Sequence, residues 1–323
     1  MAEMADKQPA TVRAVRLVIL DASGQPLAFR VFDTPAALAD ILRIAPADGN
    51  APPWHAPGIT ILGPGERAVV FVAELVPVRP AWAIVTVDVE GRRPARVSVP
   101  LDAYQPSQRL SLPVGAGDHP WIATATAGTA HHSQGGAVMR SGRVFVSQRF
   151  ALGLRQVDEQ LRTHPDDTSS KEAYYAWGAP VLSMGRGVVV AAVDSDTDHE
   201  IGEVIPATQH PAGNYIVIQQ GPAAFAVYAH LQRGSVGVRV GQWVERGQPL
   251  ASVGNSGSSS EPHLHVHVAD RWRRDTDPFV TFLLGQGVPA LFWRGHVWRD
   301  GEFLPLFGAT PTEFDILVPD AHE

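Results

Sequence analysis

The sequence predicts an all-β protein, with an N-terminal β-sandwich-like domain followed by a second, antiparallel β domain. Short runs rich in Val and Ile recur along the chain between turn residues such as Gly63-Pro64-Gly65, which is the pattern of short strands. Helical periodicity is limited mainly to a short segment after Thr34. Strand runs do not alternate with helices, so doubly wound folds and barrels with outer helices are disfavoured.

The length of the chain, 323 residues, exceeds the usual size of one domain, so we expect two. The expected parts are a flexible tail (1–11), the N-terminal β-sandwich-like domain (12–115), a linker that approaches a site (116–142), the second β domain (143–285) and a C-terminal extension packed on the core (286–323). The linker is rich in Gly, Ala and Thr, and Trp121 is its one large apolar anchor.

The first domain is predicted from six strand runs and one helix. The strand runs are Val12–Leu20, Leu27–Phe32, Gly58–Leu62, Ala68–Val76, Ala81–Glu90 and Ala95–Leu101. In the helix, Thr34 is expected to cap the N-terminus and Pro35 fits the first helical position. Leu38, Ile41 and Leu42 fall at one-face spacing. We expect this helix to cover an edge of the sandwich.

The second domain is predicted from a further series of strands. They are Arg143–Ser147, Arg149–Arg155, Gly187–Asp194, Asn214–Gln219, Ala223–Ala229, Val236–Val240, Pro249–Val253 and Leu264–Ala269. Between them, the charged segment Asp158–Ala176 is expected to be a surface loop with a short helix.

The composition limits the partners and the metal ligands that the chain can use. The net charge of -7 disfavours a nucleic-acid partner that depends on broad phosphate neutralisation. Cysteine is absent, so a zinc site would have to use histidine and carboxylate ligands. No run is long enough for a membrane span, and the first residues do not read as a secretory signal.

The candidate site is centred on one histidine-rich strand. In Ser260–Val268 three histidines alternate with apolar residues, so that one face carries His263, His265 and His267 while Leu264, Val266 and Val268 point into the core. Same-face neighbours lie roughly 6.5–7 Å apart, which suits one ligand and one supporting partner better than two ligands of one ion. His230, at the end of another predicted strand, is the next candidate.

Four motifs resemble the core motifs of the lysostaphin/LytM-type zinc metallopeptidases, in the order of that family and at a spacing compatible with it. They are Tyr228-Ala229-His230-Leu231, Val240–Ala251, Gly254-Asn255-Ser256-Gly257 and Pro262-His263-Leu264-His265. The resemblance covers roughly residues 120–290. Gln148-Arg149-Phe150-Ala151 and Tyr174–Leu182 are similar to a divergent subgroup that carries an N-terminal β-domain.

The resemblance implies a fold and a set of roles. It implies a LytM-type antiparallel β-sheet or barrel-like domain built on a duplicated hybrid motif, with Zn²⁺ as cofactor. His265 matches a zinc ligand, and His230 and His263 match the catalytic residues that flank the reacting centre. Imidazoles suit that work because they titrate near neutral pH. His267 is expected to support a ligand or to lie at the rim.

The sequence departs from the family at the pair that supplies the other two ligands, His-x-x-x-Asp. Arg149 stands at the histidine position and Gly153, which has no side chain, at the aspartate position. In the divergent subgroup an upstream histidine accompanies this segment, and His132, or its neighbour His131, matches it. The implied metal ligands are therefore His265 and His132, and the sequence identifies no third.

Two functions follow from these observations. The first is a zinc metalloendopeptidase that cleaves the peptide cross-bridges of peptidoglycan, or another short peptide, with a site weakened by Gly153. The second is a non-catalytic LytM-like domain that binds cell-wall peptide or a partner protein. The compartment is the cell envelope or the extracellular space if the substrate is peptidoglycan, and the cytoplasm otherwise. The oligomeric state is left open.

Overall fold

The computed structural model is nearly all β, which confirms the predicted fold class. It describes residues 2–3, 8–45, 58–71, 81–101, 108–126, 137–140, 143–165, 170–203, 210–273 and 285–319. The chain divides into two compact units: Met1–Gln105 with Val138–Phe145, and Pro106–Ala137 with Val146–Glu323. Among the residues described, no helix is long and apolar enough to cross a membrane.

Along the described chain, a first group of elements ends at residue 145 and a second group begins at residue 152. These groups follow chain order and do not coincide with the two compact units. The first group is β1 (Ala2–Glu3), β2 (Ala10–Leu20), β3 (Pro26–Phe32), α1 (Pro35–Ile41), β4 (Leu42–Ala45), β5 (Ile61–Leu62), β6 (Arg67–Val70), β7 (Trp82–Val89), β8 (Ala95–Pro100), β9 (Leu110–Ser111), β10 (Trp121–Thr124), β11 (Val138–Arg140) and β12 (Arg143–Phe145). The second is β13 (Leu152–Gln156), β14 (Pro180–Leu182), β15 (Gly187–Val193), β16 (Asn214–Gly221), β17 (Ala224–Leu231), β18 (Trp243–Val244), β19 (Pro249–Ser252), β20 (Leu264–Ala269), β21 (Gly287–Val288), β22 (Phe292–Arg294), β23 (His296–Arg299), β24 (Glu302–Pro305) and β25 (Ile316–Val318).

The first unit contains a five-stranded sheet and a three-stranded sheet. The five-stranded sheet runs in the order β3-β2-β7-β8, with β5 also paired to β2, and the three-stranded sheet in the order β1-β6-β4. The helix forms as predicted: the Thr34 side chain accepts a hydrogen bond from Ala37 N, and Pro35 stands in the first turn. Leu38 and Ile41 on the helix pack into the core of this unit, as their spacing requires.

The second unit is organised around one large antiparallel sheet. Its strands run in the order β18-β15-β16-β17-β20-β13-β10-β25-β23-β24, with β21 also paired to β20. The core beneath it includes Tyr228, whose hydroxyl accepts a 2.8 Å hydrogen bond from Met184 N, and whose pKa burial raises. Strand β25, from the C-terminal segment, pairs with β10. The central strands β17, β20, β13 and β10 carry the site.

Three predictions about strands were wrong. The run Arg149–Arg155 begins as a turn, in which Ala151 N donates to Gln148 O at 2.9 Å, and becomes a strand only at Leu152. Val236–Val240 is not a strand, because this stretch is held by isolated contacts such as Gly237 N to Leu250 O. The predicted linker contains β10, which the sequence hides because Trp121, Ile122 and Ala123 are all buried and show no alternation.

The charged loop Asp158–Ala176 differs less from its prediction than those three segments do. Within the described part of Asp158–Ala176, the helical element is a single 3₁₀ turn, Lys171–Ala173. Asp158 closes the start of the loop: its carboxylate accepts hydrogen bonds from Gln160 N and Arg162 N, each at 2.9 Å.

Candidate active site

The site is built on a row of residues that runs across four neighbouring strands. Strand register aligns Thr124 with Gly153, Gly153 with His265, and His265 with Ala229. Residues directly opposite one another in an antiparallel pair point to the same face of the sheet. Leu264, beside His265, is completely buried in the core. The row therefore lies on the face opposite the core, as the alternation along β20 predicts.

His230 enters this face from the end of β17 in an unusual backbone conformation. Its φ is +61°, a left-handed value that costs a non-glycine residue about 1–3 kcal/mol. Hydrogen bonds on both sides fix this conformation: His230 N donates to Ala212 O at 2.9 Å, and Gly254 N donates to His230 O at 3.0 Å. Strain of this kind is retained where the surroundings over-determine it. In this site it directs the imidazole toward the turn that follows β19.

That turn holds the His230 ring through Ser256. His230 Nδ1 lies 2.9 Å from the carbonyl oxygen of Ser256. Ser256 is itself fixed, because its hydroxyl donates to Leu231 O at 2.7 Å and accepts from Asn214 N at 2.9 Å. Gly257, with φ of +72°, allows the turn to approach so closely that a Cβ there would lie 2.3 Å from Gly213 N. The glycine and serine of this motif therefore serve to position His230.

His263 is anchored in the same way from the start of β20. Its Nδ1 lies 2.8 Å from the carbonyl oxygen of Glu261 and 3.0 Å from the hydroxyl of Ser259. The Ser259 hydroxyl donates to that same Glu261 carbonyl at 2.8 Å. A carbonyl oxygen only accepts, so Nδ1 must carry the proton, and in the neutral ring the lone pair is on Nε2.

The same reasoning applies to His230, because its Nδ1 also faces a carbonyl oxygen. The centroids of the two rings lie 4.8 Å apart. The structure therefore brings together two imidazoles that share one tautomer, each with a basic Nε2 in its neutral form. Such a pair can accept, hold and return a proton.

His265 lies beside this pair and is 3% exposed. Its ring centroid is 5.8 Å from that of His230. His265 Nε2 lies 3.0 Å from His267 Nδ1, with the two rings nearly perpendicular. The side chains lean together, so the nitrogen separation is far shorter than the backbone spacing suggests. His267 is 1% exposed, and so it supports His265 from a buried position instead of lying at a rim.

The residues of this face fit a zinc ion in their donor chemistry. A histidine that binds zinc usually employs one ring nitrogen for the metal and the other for a hydrogen bond that fixes the ring. His265 shows this arrangement, since Nε2 is paired with His267, and a metal would be held by Nδ1. Across the described ranges, no three histidine or carboxylate side chains converge closely enough to hold an ion. The predicted partners His132 and His131 lie outside the described residues.

Gly153, which the resemblance aligns with an aspartate, faces His265 across the strand pair. A Cβ at this position would lie 3.0 Å from Thr124 O and 3.1 Å from Thr124 Oγ1. Both separations are tighter than ordinary van der Waals contact. Thr124 therefore occupies the space beside Gly153, and β13 supplies no ligand in this row.

Arg149, which stands at the histidine position of the family pair, does not join the histidines in a contact that the structure describes. It lies in the turn before β13 and is exposed, with its guanidinium 4.8 Å from the centroid of the Phe150 ring. This is a cation–π contact at the surface.

Sequence reasoning missed a polar network beside His263. Arg155 Nε lies 2.7 Å from Glu261 Oε1, and Thr163 Oγ1 donates to Glu261 Oε2 at 2.9 Å. Arg155 also donates to Thr124 Oγ1 at 2.9 Å. The available signal was alternation: Arg155 is two residues after Gly153 and so shares its face.

Comparison with known proteins identifies related domains. Residues 172–278 match the model of peptidase family M23. Peptidoglycan DD-endopeptidase ShyA of Vibrio cholerae is 38% identical over 97 residues, which are 30% of this chain and 19% of ShyA. An uncharacterized metalloprotease of Haemophilus influenzae is 26% identical over 164 residues, covering 48% of this chain and 30% of the relative. The chain thus spans about a fifth to a third of the length of these relatives.

Two solved structures with M23 or lysostaphin in their names match this chain at lower sequence identity than these relatives do. The catalytic domain of the M23 protein EnpA from Enterococcus faecalis has a TM-score of 0.31 and 18% identity, covering 55% of this chain and 94% of that domain. The catalytic domain of lysostaphin from Staphylococcus simulans has a TM-score of 0.24 and 22% identity, covering 36% of this chain and 84% of that domain.

Proposed function

We propose that this chain, whose residues 172–278 are a peptidase family M23 domain of the lysostaphin/LytM type, is a zinc-dependent endopeptidase acting on the peptide cross-bridges of peptidoglycan. One observation carries the proposal. His230 and His263 are fixed in the same tautomer, with ring centroids 4.8 Å apart. Buried His265 lies next to them.

The two anchored imidazoles account for proton transfer. Each holds its Nδ1 proton on a backbone carbonyl, at Ser256 for His230 and at Glu261 for His263. The Nε2 atom of a neutral ring can therefore take a proton from an attacking water, and the same atom, once protonated, can give that proton to the leaving amine. A protonated ring also stabilises negative charge on a carbonyl oxygen. His230 and His263 are the proposed catalytic residues.

Zinc is the proposed cofactor, with His265 and His132 as its protein ligands. When bound, zinc supplies Lewis-acid activation of a peptide carbonyl and of water. His267 keeps the His265 ring in place through the 3.0 Å contact between Nδ1 and Nε2. Two protein ligands are fewer than the three usual in catalytic zinc sites, so we expect weaker metal binding than a complete set would give.

The substrate class is supported by the names of relatives. ShyA and ShyB of Vibrio cholerae are called peptidoglycan DD-endopeptidases, and each is 38% identical to this chain over 97 residues. That segment is 30% of this chain.

A second function, a non-catalytic domain that binds a cell-wall peptide, is favoured by Gly153. The aspartate position is not only empty of a carboxylate but is also packed by Thr124, 3.0 Å from where a Cβ would stand. A domain that had lost its metal could keep the histidine face as a binding surface.

Metal stoichiometry separates the two functions. The purified chain, stripped with chelator and titrated with Zn²⁺, should bind one equivalent, and His265→Ala should abolish binding. His296→Ala is the matched control, because its ring stacks on Phe303 at 4.6 Å in another part of the sheet. Failure of the unmodified chain to bind zinc at millimolar concentration would reject the enzyme and leave the binding function.

A further inference from the structure

Glu261 joins the catalytic face to two other parts of the second unit. Its carboxylate accepts a hydrogen bond from Thr163 Oγ1 at 2.9 Å and forms an ion pair with Arg155 Nε at 2.7 Å. Its backbone carbonyl receives His263 Nδ1 at 2.8 Å and the Ser259 hydroxyl at 2.8 Å. One residue thus receives contacts from β13, from the loop after β13 and from the catalytic ring.

The ion pair is sheltered and tied at both ends. The Arg155 and Glu261 side chains are only 25% and 22% exposed, so solvent screens their attraction less than at an open surface. Arg155 is also fixed on its other side, where it donates to Thr124 Oγ1 at 2.9 Å. The next residue, Pro262, further restricts the backbone of Glu261 to extended conformations.

Strand register explains why the network meets His263. Gly153 pairs with His265 and Leu154 with Leu264. One further step along the antiparallel pair brings Arg155 level with His263 on the same face. Strand β13 therefore supports the catalytic face through Arg155, although it contributes no ligand at Gly153.

We propose that Glu261 is a positioning residue for His263, held in place by Arg155 and Thr163. The side-chain contacts fix the Glu261 carbonyl, and that carbonyl fixes the Nδ1–H tautomer and the direction of Nε2. This inference rests on the proposed function in assigning proton transfer to His263. It concerns a different set of residues from the metal ligands, so metal content is expected to be independent of it.

Variants of both partners test the proposal. Glu261→Gln keeps an acceptor for Thr163 but removes the charge, Arg155→Met removes the cation, and Arg155→Lys restores it. Glu90→Gln is the control, because it breaks an exposed ion pair with Arg13 in the first unit. Circular dichroism and thermal unfolding show which variants fold.

Two readouts are needed. Nitrogen-15 NMR of the histidine rings, with His263 assigned from the spectrum of His263→Gln, should show one tautomer in the unmodified chain and in Glu90→Gln. In Glu261→Gln and Arg155→Met, the His263 ring should be a mixture of tautomers. In Arg155→Lys, most of the His263 ring should again be in the single tautomer of the unmodified chain. For peptidoglycan hydrolysis, kcat should fall about 10–100-fold in the first two variants with KM and zinc content nearly unchanged.

The outcomes separate this inference from the proposed function. An unchanged His263 tautomer together with unchanged kcat in folded Glu261→Gln and Arg155→Met would overturn the positioning role. If the unmodified chain cleaves no peptide at all, the proposed function fails, and the NMR result alone then decides whether Glu261 positions His263.

Discussion

The substitution Gly153→Asp, compared with Gly153→Ala, tests how the site differs from a complete one. Both variants add a Cβ that would lie 3.0 Å from Thr124 O and 3.1 Å from Thr124 Oγ1. The carbonyl belongs to β10, which is hydrogen-bonded to β13 and β25 on its two sides. Because it cannot move freely, we expect each variant to lose about 1–3 kcal/mol of unfolding free energy, as overpacked sites do.

The carboxylate is the only difference between the two variants. Comparing them therefore separates the effect of the missing ligand from the effect of the added Cβ. A loss of 1–3 kcal/mol corresponds to a fall in Tm of about 2–12 °C for a domain of this size. In Gly153→Asp the added carboxylate faces His265 across the strand pair, and it should tighten zinc binding at least tenfold, or about 1.4 kcal/mol. Zinc at about 100 times its Kd then adds about 2.7 kcal/mol to the unfolding free energy of that variant.

The assay is thermal unfolding of both variants with chelator and with added zinc, together with calorimetric titration of zinc. Gly153→Asp should recover Tm on adding zinc, and Gly153→Ala should recover less. An unchanged Tm for Gly153→Ala would refute the packing argument. Equal zinc affinity in the two variants would refute the claim that a carboxylate at this position acts as a zinc ligand.

Two further predictions concern stability. His230 has φ of +61°, so His230→Gly should be more stable than His230→Ala by about 1 kcal/mol in urea unfolding, and equal stability would contradict the strain. Burial alone would raise the pKa of Asp315, but hydrogen bonds from Arg299 and from Thr312 N outweigh it and lower that pKa. The resulting stabilisation is present above the unfolded-state pKa of about 3.9 and is lost as pH falls through the lower folded-state value. Arg299→Met should therefore cost about 2–3 kcal/mol at pH 7 and progressively less below pH about 4, and a pH-independent loss would contradict this assignment.

Much of the fold could be predicted because its elements carry local signals. The Thr34 cap and Pro35 define α1, a run rich in Val and Ile predicts β2, and the alternation of histidine with apolar residues predicts β20. The resemblance to lysostaphin/LytM-type peptidases, first seen in the motifs around His230 and His263, is confirmed by the M23 match over residues 172–278. These signals are local, so a single sequence contains them.

The remaining features depend on contacts between distant residues. Strand β10 shows no alternation, because Trp121, Ile122 and Ala123 point to alternate faces of the sheet and are all buried. Val236–Val240 has strand-like composition but no partner strand in the described fold. Residue types alone gave no reason to join Arg155 to Glu261, which lie far apart in sequence and meet only through the pairing of β13 with β20.

The most direct test of the central claim is mass spectrometry of purified peptidoglycan incubated with the zinc-loaded chain. We predict new peptide fragments with free amino groups, their loss when zinc is removed by chelator, and their absence in His263→Gln and His230→Gly with zinc content unchanged. A chain that holds stoichiometric zinc and releases no fragments from peptidoglycan would contradict the claim.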